Sequence, residues 1–184
     1  MADSVITKKA LAASLKKLME KEPFLKISVG DICEKCNMSR KSFYYHFSDK
    51  YELVNWIFDT EFKEFVCVSE INGIYGLKTL TYYFYENRNF YRKAFAIECQ
   101  NSFSEHFRSI CYPAIFEEIK ELAGFPDAME FQANLLTDGV ICSFKRWLTL
   151  REPMLPDEFL EQINICLRIV AKQADIGLIY KENI

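Results

Sequence analysis

Glycine and proline are scarce in this chain, six and five in 184 residues. No low-complexity tract, internal repeat or flexible interdomain linker is visible. No window approaches the run of about 18 apolar residues that a membrane helix needs. The opening stretch MADSVITKKALAAS lacks a continuous apolar segment, so no secretory signal is expected and a cytoplasmic location is. Histidine occurs only at His46 and His106. No nucleophile–base–orienter set, glycine-rich phosphate loop or metal-spaced cluster accompanies them. The chain is therefore expected to be no enzyme and to need no cofactor or metal.

Cysteine is not scarce, but its pattern excludes a disulfide scaffold. There are seven, an odd number. Cys99, Cys111, Cys142 and Cys166 lie in apolar helical surroundings and are read as free thiols in a reducing compartment. Cys33-Glu-Lys-Cys36 has C-x-x-C spacing. A zinc site would want a second pair or a nearby histidine, and a thioredoxin-like site a βαβ context, and neither is present.

About half the residues are apolar, enough for one medium domain or a small head on a larger body. The net charge of −3 hides an asymmetry. Residues 1–50 hold ten Lys/Arg against six Asp/Glu, a balance of +4, and the remainder carries −7. A basic head on an acidic body suits a head that meets a polyanion.

The apolar periodicity is helical almost throughout, with no convincing alternating strand, so an all-α fold is expected. Leu11, Leu15, Leu18 and Met19 form the stripe of a first helix that runs from Thr7 and is stopped by Pro23. Ser28 caps a second helix, with Asp31 at its third position, running to about Lys35. Asn37 suits a left-handed turn. Ser39 caps a third short helix to about Phe47, and Ser48-Asp49 opens a long fourth helix to about Ser69. Further helices are expected at about 76–86, 88–100, 103–122 (with Pro113 inside), 127–150 and from Pro156 to about Ala174. The boundary between head and body is placed at residues 1–48 and 49–184, with the fourth helix as a rigid joint.

A helix, a tight turn and a basic, aromatic second helix make the arrangement that enters the DNA major groove. On a helical wheel Phe43 and Phe47 share the packing face. Lys41, Ser42 and Tyr45 point the opposite way, with Arg40 and Tyr44 on one flank and His46 on the other. Arg40 is the candidate base reader, because its fork matches guanine O6/N7. Lys41 reaches base or phosphate. The tyrosine hydroxyls suit phosphate oxygens, and their rings suit thymine methyls or sugars. Lys50 is expected on backbone phosphate, and the helix N-termini at Ser28 and Asp49 offer N–H groups. The expected DNA-binding set is thus Ser28, Ser39, Arg40, Lys41, Ser42, Tyr44, Tyr45, His46 and Lys50.

Phe24-x-x-Ile27-Ser28-Val29-x-Asp31-Ile32, followed by Ser39-x-x-x-Phe43-Tyr44-Tyr45-His46-Phe47-x-x-Lys50-x-x-Leu53, resembles the N-terminal domain of the TetR family of transcriptional regulators. The resemblance covers about residues 1–55. It implies an all-α homodimer, paired through its last two helices, that binds a palindromic operator and is often a repressor released by a small effector. Tyr51–Phe58 and Phe144-Lys-Arg-Trp147-Leu are similar to a subgroup of regulators of dihydroxyacetone kinase operons, in which a protein partner can replace the effector.

The body is rich in rings and thiols, which together suggest an apolar cavity with a few polar anchors, although for any single ring core or dimer surface is the favoured reading. The candidate lining is Phe62, Tyr83, Phe103, Phe107, Cys111, Asn134, Asp138 and Trp147. Asp138 suits either a cationic ligand or a hydrogen bond within the fold. Leu135, Leu136, Val140, Ile141, Phe144 and Leu148, then Ile163, Ile165, Leu167, Ile169 and Val170, put apolar groups on more than one face of the last two helices. That pattern calls for a second partner as well as the chain's own core.

Overall fold

A computed structural model describes residues 2–65, 73–97, 102–122 and 129–166, and these residues are helices joined by short turns. The head comprises α1 (Ala2–Lys21), a 3₁₀ turn (Phe24–Lys26), α2 (Val29–Lys35) and α3 (Arg40–His46). The joint is α4 (Lys50–Phe65). The body adds α5 (Gly73–Glu86), α6 (Arg88–Ala94), α7 (Phe103–Leu122) and α8 (Met129–Thr149), and a ninth helix, α9, begins over 156–166. The expected helix order stands. Leu167, Ile169 and Val170, and the expected end of the last helix, lie outside the described residues.

Three boundaries differ from expectation, the first being the start of α5 at Gly73 rather than about 76. Helix α1 starts at Ala2 rather than Thr7, because no breaker precedes Thr7 even though Val5 and Ile6 bury little. The helix expected at 88–100 ends at Ala94. There the chain turns to bury Phe95 and Ile97, and that burial outweighs continued helix.

Local chemistry closes each head element. Ser28 and Asp31 form a capping box: Asp31 N–H donates to Ser28 Oγ at 3.2 Å, and Ser28 N–H donates to the Asp31 carboxylate at 2.7 Å. Helix α2 ends with Asn37 at φ 61°, where Asn37 N–H reaches Glu34 O and Met38 N–H reaches Cys33 O. This paired left-handed ending turns the chain within three residues, and asparagine tolerates the conformation. Ser39 Oγ then accepts from Ser42 N–H at 3.1 Å and starts α3.

One continuous hydrophobic core runs from Leu11 in α1 to Phe159 in α9, so head and body are not separated by a solvated gap. Helix α4 carries that continuity. Its Tyr51 and Trp56 meet head rings Phe24 and Phe47 at 5.1 and 5.8 Å. Its Phe58 touches body rings Phe84, Phe103 and Phe107 at 5.3 to 5.8 Å. Truncating such a buried phenylalanine to alanine typically costs about 3–5 kcal/mol. Helix α6 adds a second tie, between the end of α1 and the end of α8. Lys93 donates to the carbonyls of Met19, Glu20 and Glu22 at the end of α1, and Arg88 donates to Leu150 O and Arg151 O just past α8.

Candidate nucleic-acid interface

Helix α3 is held by one edge. Phe43 and Phe47, four residues apart, are buried in the head, as their spacing predicts. This anchoring leaves Arg40 and Lys41 exposed, together with Tyr44 at 58 % and Tyr45 at 83 % relative exposure. Ser42 and His46 are half-buried on the flanks. The Tyr45 ring stands edge-on to His46 at 4.9 Å, so His46 braces it. No acidic residue lies in the first turn of α3. The result is a short cationic helix end beside two exposed phenols, a surface that can meet phosphates and base edges together.

The other expected DNA contacts have partners inside the protein. Lys50 Nζ donates to Phe24 O at 2.9 Å, Ile27 O at 2.6 Å and Leu25 O at 3.4 Å. It also sits 4.4 Å from the Phe24 ring centroid. Burial pulls its pKa below the ordinary lysine value, and the nearby Asp31 carboxylate opposes that shift. Lys50 therefore locks the 3₁₀ turn, and its ammonium is engaged where the sequence suggested a free phosphate clamp. Ser28 is engaged too, through both its N–H and its hydroxyl with Asp31. The backbone and hydroxyl hydrogen bonds from Ser28 hold the Asp31 carboxyl below its ordinary value. A phosphate approaching α2 would meet that negative charge. The N-terminus of α4 is similarly served, because Asp49 accepts from Glu52 N–H and Glu52 accepts from Ser48. Ser39 is engaged as the N-cap of α3, accepting from Ser42 N–H.

The candidate pocket residues fall into three places. Phe62, Tyr83, Phe103 and Phe107 pack ring to ring around Phe58. Tyr83 also bonds Tyr91 hydroxyl to hydroxyl at 2.6 Å, and burial raises the pKa of both phenols. Cys111 packs against the same core, and burial pushes its thiol up to about 12. Asn134 and Asp138 both accept from the Arg108 guanidinium, so the cation facing Asp138 is a residue of α7. Trp147 lies farther along α8, stacked on Phe159 at 4.2 Å, with its indole N–H on Met154 O at 2.9 Å. It pins the 150–155 linker. His106 pairs with Asp59 at 2.8 Å and ties α7 to α4.

Two features escaped sequence reading. Arg40 packs over Gly30 of α2, and Lys93 and Arg88 cap two separate helix ends. The caps follow an intelligible rule, cations at helix C-termini, but their targets are distant in sequence.

A helix-turn-helix head with an exposed cationic recognition helix, set on a wholly helical described body, defines a DNA-binding regulator class. Residues 11–57 match the family described as bacterial regulatory proteins, tetR family, and residues 74–168 match a transcriptional regulator C-terminal region of the same family. The chain belongs to the TetR family of transcriptional regulators. It is similar to the HTH-type dhaKLM operon transcriptional activator DhaS of Lactococcus lactis subsp. lactis (strain IL1403), with 34 % identity over 123 residues. That alignment spans 65 % of this chain and 63 % of the relative, under two thirds of its length. Among solved structures it is similar to a dihydroxyacetone kinase operon activator DhaS, with TM-score 0.59 and 25 % identity over 89 % of this chain and 96 % of that one. A TetR transcriptional regulator from Streptococcus agalactiae 2603V shares the fold, with TM-score 0.67 and 21 % identity over 88 % of this chain and 93 % of that one. No helix among the described residues is long and apolar enough to cross a membrane.

Proposed function

We propose that this chain is a homodimeric, sequence-specific transcriptional regulator that lays α3 in the major groove of a two-fold-symmetric operator. The observation that carries this reading is the one-edged anchoring of α3, with Phe43 and Phe47 buried and Arg40, Lys41, Tyr44 and Tyr45 standing out. In this reading Arg40 reads a base edge and Lys41 contacts base or phosphate. Tyr44, Tyr45 and Ser42 meet the backbone, and His46 supports Tyr45. Ser28, Ser39 and Lys50 hold the head in shape. Pairing through α8 and α9 is supported by one exposed stripe of α8, Phe131, Leu135, Gly139 and Cys142. A Cβ at Gly139 would meet nothing within 4 Å, so a partner helix can approach closely there. A two-fold dimer matches a palindromic site.

The names of both similar DhaS proteins support an operon activator, and for this chain we place that role ahead of a repressor released by a small effector. Control through a protein partner is favoured by the state of the candidate pocket. Tyr83, Phe103, Phe107 and Trp147 are each at most 2 % exposed and have protein groups as neighbours. The test of DNA binding is a gel-shift titration on the DNA upstream of the chain's own gene, at two salt concentrations, with random competitor. A salt-sensitive complex that resists competitor is expected. No complex at low salt would refute the DNA-binding reading. A thermal shift with a small metabolite, and no co-purifying protein, would return control to a ligand.

A further inference from the structure

Gly30 sits inside α2, where its backbone makes no demand for glycine, since it does not adopt a left-handed φ. Glycine is the weakest helix former after proline, so its presence there needs another reason. The three atoms nearest to the space its missing side chain leaves all belong to Arg40. A Cβ on residue 30 would stand 2.5 Å from Nη2 of Arg40 and 3.2 Å from its Cζ and Nε. A carbon at 2.5 Å from nitrogen is well inside contact distance, so any residue but glycine must displace the guanidinium. Arg40 is the first residue of α3, and its charge also acts on Asp31, next to Gly30.

We infer that Gly30 is a positioning residue for DNA recognition: its bare backbone is the seat on which the Arg40 guanidinium rests, and the seat sets the direction in which Arg40 reaches its base pair. This deepens the proposed function and rests on the reading of Arg40 as a base reader. The seat limits the rotamers of a long, otherwise exposed side chain. Less conformational freedom is lost when the guanidinium binds, and a two-pronged contact keeps its alignment. A methyl on residue 30 pushes the fork off that line without touching DNA itself.

The experiment compares the full-length protein with Gly30→Ala, Arg40→Ala and the double variant. Each is selected against a pool of random duplexes, and affinities are then measured for the preferred duplex and its single-base-pair variants. Arg40→Ala is expected to erase preference at one position by roughly ten- to a hundredfold. Gly30→Ala is expected to weaken preference at that same position by about tenfold or more. Adding it to Arg40→Ala should change nothing further, whereas a general loosening of the head would persist without Arg40. Loss at a different position, no loss, or an equal loss with and without Arg40 would overturn the inference. Should Arg40→Ala leave every preference intact, the base-reader role fails by itself. The seat is then judged by NMR relaxation of the Arg40 Nε–H group. That group must be more mobile in Gly30→Ala than in wild type, and equal mobility would dismiss the seat.

Discussion

Removing the Lys50 ammonium leaves the carbonyls of Phe24, Leu25 and Ile27 without their shared donor. Phe24 and Ile27 are themselves buried, so water replaces that donor poorly. Lys50→Ala should therefore destabilise the head by about 1–3 kcal/mol, read as a lower urea midpoint. Its effect on the salt dependence of DNA binding should be nil once binding is measured well below the unfolding transition. Lys41→Ala should do the reverse, keeping the midpoint and lowering the salt slope by about one. If Lys50→Ala instead lowered the slope, a phosphate contact would have to be restored. Cys111 offers a second single-residue check. With its thiol pushed up to about 12 from an ordinary value of 9.0, its thiolate fraction at pH 8 falls about a thousandfold. Alkylation followed by mass spectrometry should find Cys111 unmodified long after an ordinary exposed thiol has reacted.

At the scale of elements, short helices depend on their ends. Helix α2 has seven residues, too few to stand without caps and packing. Its capping box works through the ionised Asp31, whose pKa is lowered in the fold mainly by the Ser28 backbone hydrogen bond. A lowered carboxyl contributes stability above its ordinary value, and loses it as pH falls through the folded value. Wild type should thus exceed Asp31→Ala in stability near neutral pH, and the two should converge below the ordinary value of 3.8. A constant gap down to acid pH would show that the carboxylate charge is irrelevant. Helix α6 makes the complementary case with cations. Lys93→Ala should cost about 1 kcal/mol and speed amide exchange around the end of α1, while leaving α8 protected. Equal loosening of both helices would mean that α6 acts as one rigid piece.

For the whole molecule, the proposed two-fold pairing rests on the exposed stripe of α8. Phe131 and Leu135 are 71 % and 61 % exposed in a single chain. Replacing both with glutamate should leave the monomer's fold within about 0.5 kcal/mol. Sedimentation should nevertheless show a shift from dimer to monomer, and the palindromic-site complex should weaken with it. A dimer that survived both changes would place the interface elsewhere.

Much of this was legible from the sequence by itself, because it rests on contacts between near neighbours. The Ser28–Asp31 box, the left-handed Asn37, the Ser39 cap and the Phe43/Phe47 face all join residues at most five apart, where backbone geometry alone brings the groups together. The same locality made the helix-turn-helix head readable. What tertiary structure decided is where the long and buried side chains went. Lys50 turned inward because the fold brings three carbonyls of the 3₁₀ turn and its C-cap beneath it, more than 20 residues back along the chain. The rings of the candidate pocket pack against one another, and Asp138 meets Arg108, because helix packing fixes which faces oppose. Arg40 found Gly30 for the same reason. Periodicity states that a face is apolar or charged, and only the three-dimensional packing states what it faces.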